Sequence, residues 1–167
     1  MMDHKFVLFF VFLLTIGQGE LLSHHDAVNK LSKWGIKLNC YDANRNNKRC
    51  TSLQDIRSDT IDWLINFKRT NNCKFVVTGG TEHAHRGKGI NTHEGGYKVD
   101  LRINDCLNRY IINNFHFICN TNLGPKYLSG SGAIVLNETK YPAHFDALWP
   151  AKRVTNLSQV RRRTICK

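Results

Sequence analysis

The chain has 167 residues, with 24 Lys and Arg against 13 Asp and Glu, a formal charge of +11. That length fits one domain with a single core, and no segment beyond the first apolar run could cross a membrane. A positive surplus this large favours anionic partners such as bacterial envelope material, nucleic acid or acidic glycans, and equally fits a plain cationic secreted protein.

Residues 1–19 read as a secretory leader: His4 and Lys5, an apolar run from Phe6 to Ile16, then the small residues Gly17 and Gly19. Residues 20–167 form the expected mature domain, and the net charge is unchanged because Asp3 and Lys5 leave together. All six cysteines (Cys40, Cys50, Cys73, Cys106, Cys119 and Cys166) follow the leader. An even set in an oxidising compartment predicts disulfides, and the short polar loop between Cys40 and Cys50 marks that pair. The sequons at Asn137 and Asn156 add possible glycans.

A helical stripe of Ala27, Leu31 and Trp34 follows a Ser23-x-x-Asp26 start, predicting a helix over about Leu22 to Trp34. Thr51-Ser52-Leu53-Gln54 reads as a capping box for a second helix carrying Leu53, Ile56, Thr60, Trp63, Leu64 and Phe67, ended by Asn71-Asn72. Cys73 to Thr78 predicts a buried strand closed by Gly79-Gly80, and Tyr97 to Ile103 a second. Asn104 starts a short helix with Leu107, Tyr110 and Ile111. Strands are predicted at Phe115 to Cys119 and Gly132 to Glu138. The order implies an α+β domain, a small antiparallel sheet with helices packed on one side.

Alternation in the second strand sends Val99, Leu101 and Ile103 toward a core, and Lys98, Asp100 and Arg102 to a polar face. Gly95-Gly96 would let His93 fold back over that face. With His144 downstream, two imidazoles and a carboxylate make a set of three zinc ligands that leaves a position for water. A carboxylate-oriented histidine, or two unrelated surface residues, is the alternative for the His93–Asp100 pair. No His-Glu-x-x-His or Cys-x-x-Cys competes for the metal, and Gly87-Lys88-Gly89 lacks the Ser or Thr of a phosphate-binding loop.

These residues resemble the zinc peptidases that comprise D-alanyl-D-alanine carboxypeptidases, L-alanyl-D-glutamate phage endolysins and the related hedgehog signalling domain. The likeness runs over roughly residues 50 to 150. It rests on His93-x6-Asp100, on Gly96-Tyr97-Lys98-Val99-Asp100 inside it, on Pro142-Ala143-His144-Phe145, and on the pocket-forming stretch Thr78-Gly79-Gly80-Thr81-Glu82. It implies one Zn2+ on His93, Asp100 and His144, and hydrolysis of amide bonds in bacterial peptidoglycan peptides. In the carboxypeptidase and endolysin branches a catalytic acid precedes the last ligand by three residues, where this chain has Tyr141. The hedgehog branch places its glutamate six before, which implies Glu138 as the base, with an ordinary polar strand end as the alternative. Tyr141 would donate to the oxyanion, and His85 and Thr81 would bind substrate. For His83 and His85 the alternative is solvent exposure on a loop.

The implied protein is a secreted, monomeric zinc peptidase that does not use nucleic acid as partner. A second class is a zinc-binding ligand, toxin or binding module without turnover. A third is a secretory ribonuclease, which has the composition but lacks a recognisable histidine pair with an adjacent lysine.

Overall fold

The computed structural model describes residues 19–85, 89–140, 142–149 and 166. The leader up to residue 18, Tyr141, the Asn156 sequon and the run Arg161–Arg163 lie outside the described residues. In chain order the elements are β1 (Leu21–Leu22), α1 (His24–Ser32), β2 (Lys37–Leu38), β3 (Ile56–Arg57), α2 (Ser58–Asn71) and β4 (Val76–Gly79). There follow β5 (Lys98–Arg102), α3 (Asp105–Asn114), β6 (His116–Asn120), β7 (Pro125–Leu128), β8 (Ile134–Glu138) and β9 (His144–Leu148).

Local chemistry sets most helix ends. The Ser23 side chain accepts from the Asp26 N–H to start α1, and the Asn104 side chain accepts from the Leu107 N–H to start α3. Asn72 closes α2 in the left-handed conformation (φ 52°), its N–H donating to the Lys68 carbonyl. Two expectations change. α1 ends at Ser32, so Trp34 lies beyond it, 44% exposed, with the Arg69 guanidinium 5.4 Å from its ring. The capping box does not form. α2 starts at Ser58 behind Arg57, because longer-range partners hold the Thr51–Gln54 stretch. The Gln54 side chain accepts from the His24 N–H, and the Ser52 carbonyl accepts from the Thr81 N–H.

Seven strands form one sheet in the order β2-β4-β5-β9-β8-β7-β6, while β1 and β3 pair separately. The sheet is mixed rather than antiparallel throughout. β2 runs parallel to β4 because α2 lies between them in the chain and returns it to the same end, whereas every other neighbouring pair is antiparallel. β7 and β9 add strands that local patterning did not predict.

One face of the sheet supplies Val77, Val99, Leu101, Val135, Phe145 and Ala147 to a core shared with Leu31, Leu64, Phe67, Leu107 and Ile111 from the helices. Trp149 joins this core and stacks on Trp63 at 6.3 Å. Asn137, inside a sequon, is half-buried and donates to the Asn108 side chain of α3, so its amide is engaged on the helix side. The disulfides are Cys40–Cys50, as expected, Cys73–Cys106 and Cys119–Cys166. Each contributes about 2–4 kcal/mol by restricting the unfolded chain.

With helices covering one face, the other face of the central strands is left for polar side chains. Register aligns Asp100 with Asp146, and His144 with both Arg102 and Glu138. Cross-strand partners share a face, so residues far apart in sequence meet there.

Candidate metal centre

The site forms where β4 and β5 come together. The pairing slips between Val77 and Gly79, bringing Gly79 opposite Asp100. A Cβ on Gly79 would stand 2.3 Å from Asp100 Oδ2 and 3.0 Å from His85 Cε1, so only bare backbone leaves room for both side chains. On the far side of the loop, the Gly96 N–H donates to the His93 carbonyl at 2.9 Å and the Tyr97 N–H to the Thr92 carbonyl at 3.1 Å. Gly96 has φ +78°, and a Cβ there would meet the Asp55 carbonyl oxygen at 2.7 Å. This turn folds His93 back over the strand that carries Asp100.

The His93 Nδ1 lies 2.8 Å from the Gly80 carbonyl oxygen. Only an N–H can satisfy that acceptor, so the neutral ring leaves Nε2 as a lone pair. That Nε2 faces Asp100 Oδ1 at 3.2 Å. His144 repeats the arrangement: Nδ1 is 2.7 Å from the Pro142 carbonyl oxygen, and Nε2 is 3.5 Å from the same Asp100 Oδ1. Asp100 Oδ1 is buried and has no hydrogen-bond partner. Two imidazole nitrogens thus lie within 3.5 Å of a buried carboxylate oxygen, a set of acceptors that requires a proton or a cation among them.

The electrostatics agree. Burial pushes the Asp100 carboxyl up, but the adjacent His93 ring and the charges of His144 and His85 outweigh it and hold the group below the usual carboxylate range. Burial pushes His93 down, and the contact with Asp100, reinforced by Asp146, carries it above an ordinary imidazole. Asp100 is only 7% exposed, so the polar face expected from alternation is roofed by histidines.

His85 completes the cluster. Its ring stacks on His93 with centroids 3.7 Å apart and planes 10° apart, its Nδ1 is 3.7 Å from Asp100 Oδ2, and its Nε2 is 2.9 Å from Glu82 Oε1. His85, His93 and Asp100 each offer a ligand atom within 4.8 Å of the others, and the group could hold one metal ion. His83 diverges, lying exposed with Nδ1 3.5 Å from Glu94 Oε1, so the two histidines do not share a face.

Glu82 supports this cluster from below. Its buried carboxylate accepts from the Ser52 N–H at 2.8 Å and the Gly80 N–H at 3.0 Å. Burial raises its pKa, but His85 and these N–H donors prevail and keep it ionised below the usual range. Arg45, from the Cys40–Cys50 loop, donates to the Thr81 carbonyl at 2.8 Å and the Glu94 carbonyl at 3.0 Å, fixing both ends of the loop that bears the histidines. Sequence reasoning placed Glu82 in the pocket-forming run but missed its pairing with His85, three residues on, for which the i, i+3 spacing was the only signal.

Thr81, expected to bind substrate, is fully buried, and its hydroxyl donates to the Gln54 carbonyl at 2.6 Å. It is part of the scaffold beneath the loop, out of a substrate's reach. Glu138 is half-buried on the metal face, Oε2 3.7 Å from His144 Nε2. Beside the cluster, Lys98 Nζ donates to Asp146 Oδ2 at 2.5 Å.

No family model matches this chain, and no curated protein or solved structure matches it.

Proposed function

We propose that this chain is a secreted zinc-dependent peptidase in which His93, Asp100 and His144 hold the ion. The supporting observation is that His93 Nε2 and His144 Nε2 lie 3.2 and 3.5 Å from Asp100 Oδ1, each ring fixed by a backbone carbonyl on its other nitrogen. His144 is the third ligand in the motif this chain resembles. His85 is the alternative, because with Nε2 bound to Glu82 its Nδ1 remains 3.7 Å from Asp100 Oδ2, in a group whose ligand atoms lie within 4.8 Å of one another. A zinc ion in this set would supply Lewis acidity at the scissile carbonyl and make an attacking water acidic.

The chain's own groups then handle the protons. Glu138 Oε2 takes the proton of the attacking water and returns it to the leaving nitrogen as the amide C–N bond breaks. Tyr141 donates to the developing oxyanion. His85, partly exposed above Asp100, flanks the substrate. The substrate class, amide bonds of bacterial cell-wall peptides, follows from the resemblance and suits the +11 charge. The three disulfides fit an oxidising extracellular setting, and no helix among the described residues is long and apolar enough to cross a membrane.

The test is Glu138→Gln, assayed on a peptidoglycan stem peptide. Amide cleavage is lost while the zinc content stays at one per chain. The second reading, a metal-binding module without turnover, is favoured by Tyr at position 141, where the carboxypeptidase branch has its acid. Full zinc occupancy with no cleavage of any stem peptide by the parent protein would establish it.

A further inference from the structure

The loop closed by Cys40–Cys50 precedes the stretch, roughly residues 50 to 150, over which this chain resembles the zinc peptidases, so the resemblance assigns it no part. It is nonetheless built against the metal centre. Its ends are tied by the disulfide and by the Thr51 N–H, which donates to the Cys40 carbonyl at 2.8 Å. Lys48 and Arg49 are exposed, whereas the Arg45 side chain turns inward and is 18% exposed. Every nitrogen of its guanidinium is used: Nε donates to the Thr81 carbonyl, Nη2 to the Glu94 carbonyl, and Nη1 to Asp55 Oδ2 at 3.3 Å. The Arg45 carbonyl in turn accepts from the His83 N–H at 2.8 Å.

Thr81 follows Gly80, and Glu94 follows His93. The guanidinium therefore bridges the same two segments as the hydrogen bond between His93 Nδ1 and the Gly80 carbonyl, one residue further along each. That bond fixes the tautomer of His93 and leaves Nε2 for an ion. Glu82, which bonds His85, lies between Thr81 and His83, and Arg45 holds both of these neighbours. A planar fork of fixed donors can keep two carbonyls at a set separation, which a lysine, one point charge on a flexible stem, cannot. Without the bridge, the chain between Gly80 and His93 would have to be ordered on binding, at a cost in conformational entropy.

We propose that Arg45, presented by the Cys40–Cys50 loop, is a positioning residue for the metal centre. By clamping Thr81 to Glu94 it keeps His93 Nδ1 on the Gly80 carbonyl and Nε2 available to the ion. The proposal rests on the metal reading above and adds to it a determinant of affinity that touches neither ion nor substrate.

The experiment uses the full disulfide-bonded chain and follows two quantities. One is zinc affinity, by competition with a chelator. The other needs no metal: the rate at which the His93 Nδ1 proton exchanges with water in the metal-free chain, read by NMR beside the amides of α3. Arg45→Ala weakens zinc binding about tenfold or more, the scale for groups that support metal ligands. It also speeds exchange of the His93 proton and leaves the α3 amides at the parent's rates, because the opening is local. Arg45→Lys rescues neither quantity. Asp55→Asn suits the left-handed backbone at that position (φ 62°), spares both carbonyl contacts and leaves both quantities unchanged. Cys40→Ser with Cys50→Ser weakens zinc binding in the parent and adds nothing in Arg45→Ala, since both changes act through one guanidinium.

Parental zinc affinity in Arg45→Ala overturns the proposal, as does full rescue by Arg45→Lys, which would assign the effect to charge. Amides of α3 that quicken as much as the His93 proton overturn it too, because the loss is then one of general stability. Additive losses from the disulfide and Arg45 changes overturn the part assigned to the loop. A parent that takes up no zinc overturns the metal reading instead, and the His93 proton then decides the Arg45 clamp by the same comparison.

Discussion

His93 Nε2 stands 3.2 Å from Asp100 Oδ1, and both groups are buried. A proton or a metal ion can occupy that contact, and the two compete. Zinc at about 100 times its dissociation constant raises stability by about 2.7 kcal/mol, visible as a higher thermal midpoint, and Asp100→Asn removes the gain.

The proton side of this competition has a definite sign. Asp100 raises the pKa of His93, so zinc affinity weakens as pH falls, beginning above the ordinary imidazole value of about 6.5. In the metal-free chain the raised pKa adds stability that is fully present below about 6.5 and is lost as pH rises through the raised value. Zinc titrations at several pH values, followed by the thermal midpoint, check both slopes.

His144 and His85 are distinguishable by removing them singly. His144→Ala deletes a proposed ligand and lowers zinc affinity at least about tenfold, the scale on which even the groups supporting metal ligands matter. His85→Ala deletes a ring that stacks on His93 and bonds Glu82, and has the smaller effect. Competition with a zinc chelator measures both, and a larger loss in His85→Ala would make His85 the third ligand.

Gly79 makes space for the site. Gly79→Ala forces a methyl to within 2.3 Å of Asp100 Oδ2, and backbone cannot retreat from a paired strand. The variant loses about 1–3 kcal/mol in urea unfolding and loses zinc affinity with it. Unaltered stability would show that the strand edge is looser than its pairing implies.

His24 lies outside the metal centre and provides a separate pH signature. Its Nδ1 accepts from the Leu53 N–H at 3.1 Å, so a protonated ring would turn a donor onto a donor. Burial holds its pKa low, with Asp42 opposing. A depressed imidazole pKa means the unfolded chain binds the proton first, so this stability is present above about 6.5 and declines as pH falls toward the folded value. In His24→Asn that acid-side decline is diminished relative to the parent, as the difference between their urea midpoints at pH 7 and pH 5 will show.

What the sequence revealed and what it hid follow from the range of the interactions. The His93 turn, the facing of Asp100 and the caps at Ser23, Asn104 and Asn72 depend on neighbours within a few residues, and they were legible. The start of α2 was not, because Ser52 and Gln54 bond to Thr81 and His24 rather than to the helix that follows. β9 carries His144 into the site through pairing with β5, and register across some forty residues leaves no local mark. The burial of Thr81 was hidden for the same reason, since its hydroxyl partner is at Gln54. Glu82 and His85 are close in sequence, yet their contact depends on Gly79 leaving room for the His85 ring.

The central claim is that His93, Asp100 and His144 bind one zinc ion. Metal content of the purified full chain, by elemental analysis and native mass spectrometry, tests it most directly. The account predicts one zinc per chain in the parent and none in His93→Ala or Asp100→Ala at equal folded content. A parent chain that folds and carries no zinc after equilibration with micromolar zinc would contradict it.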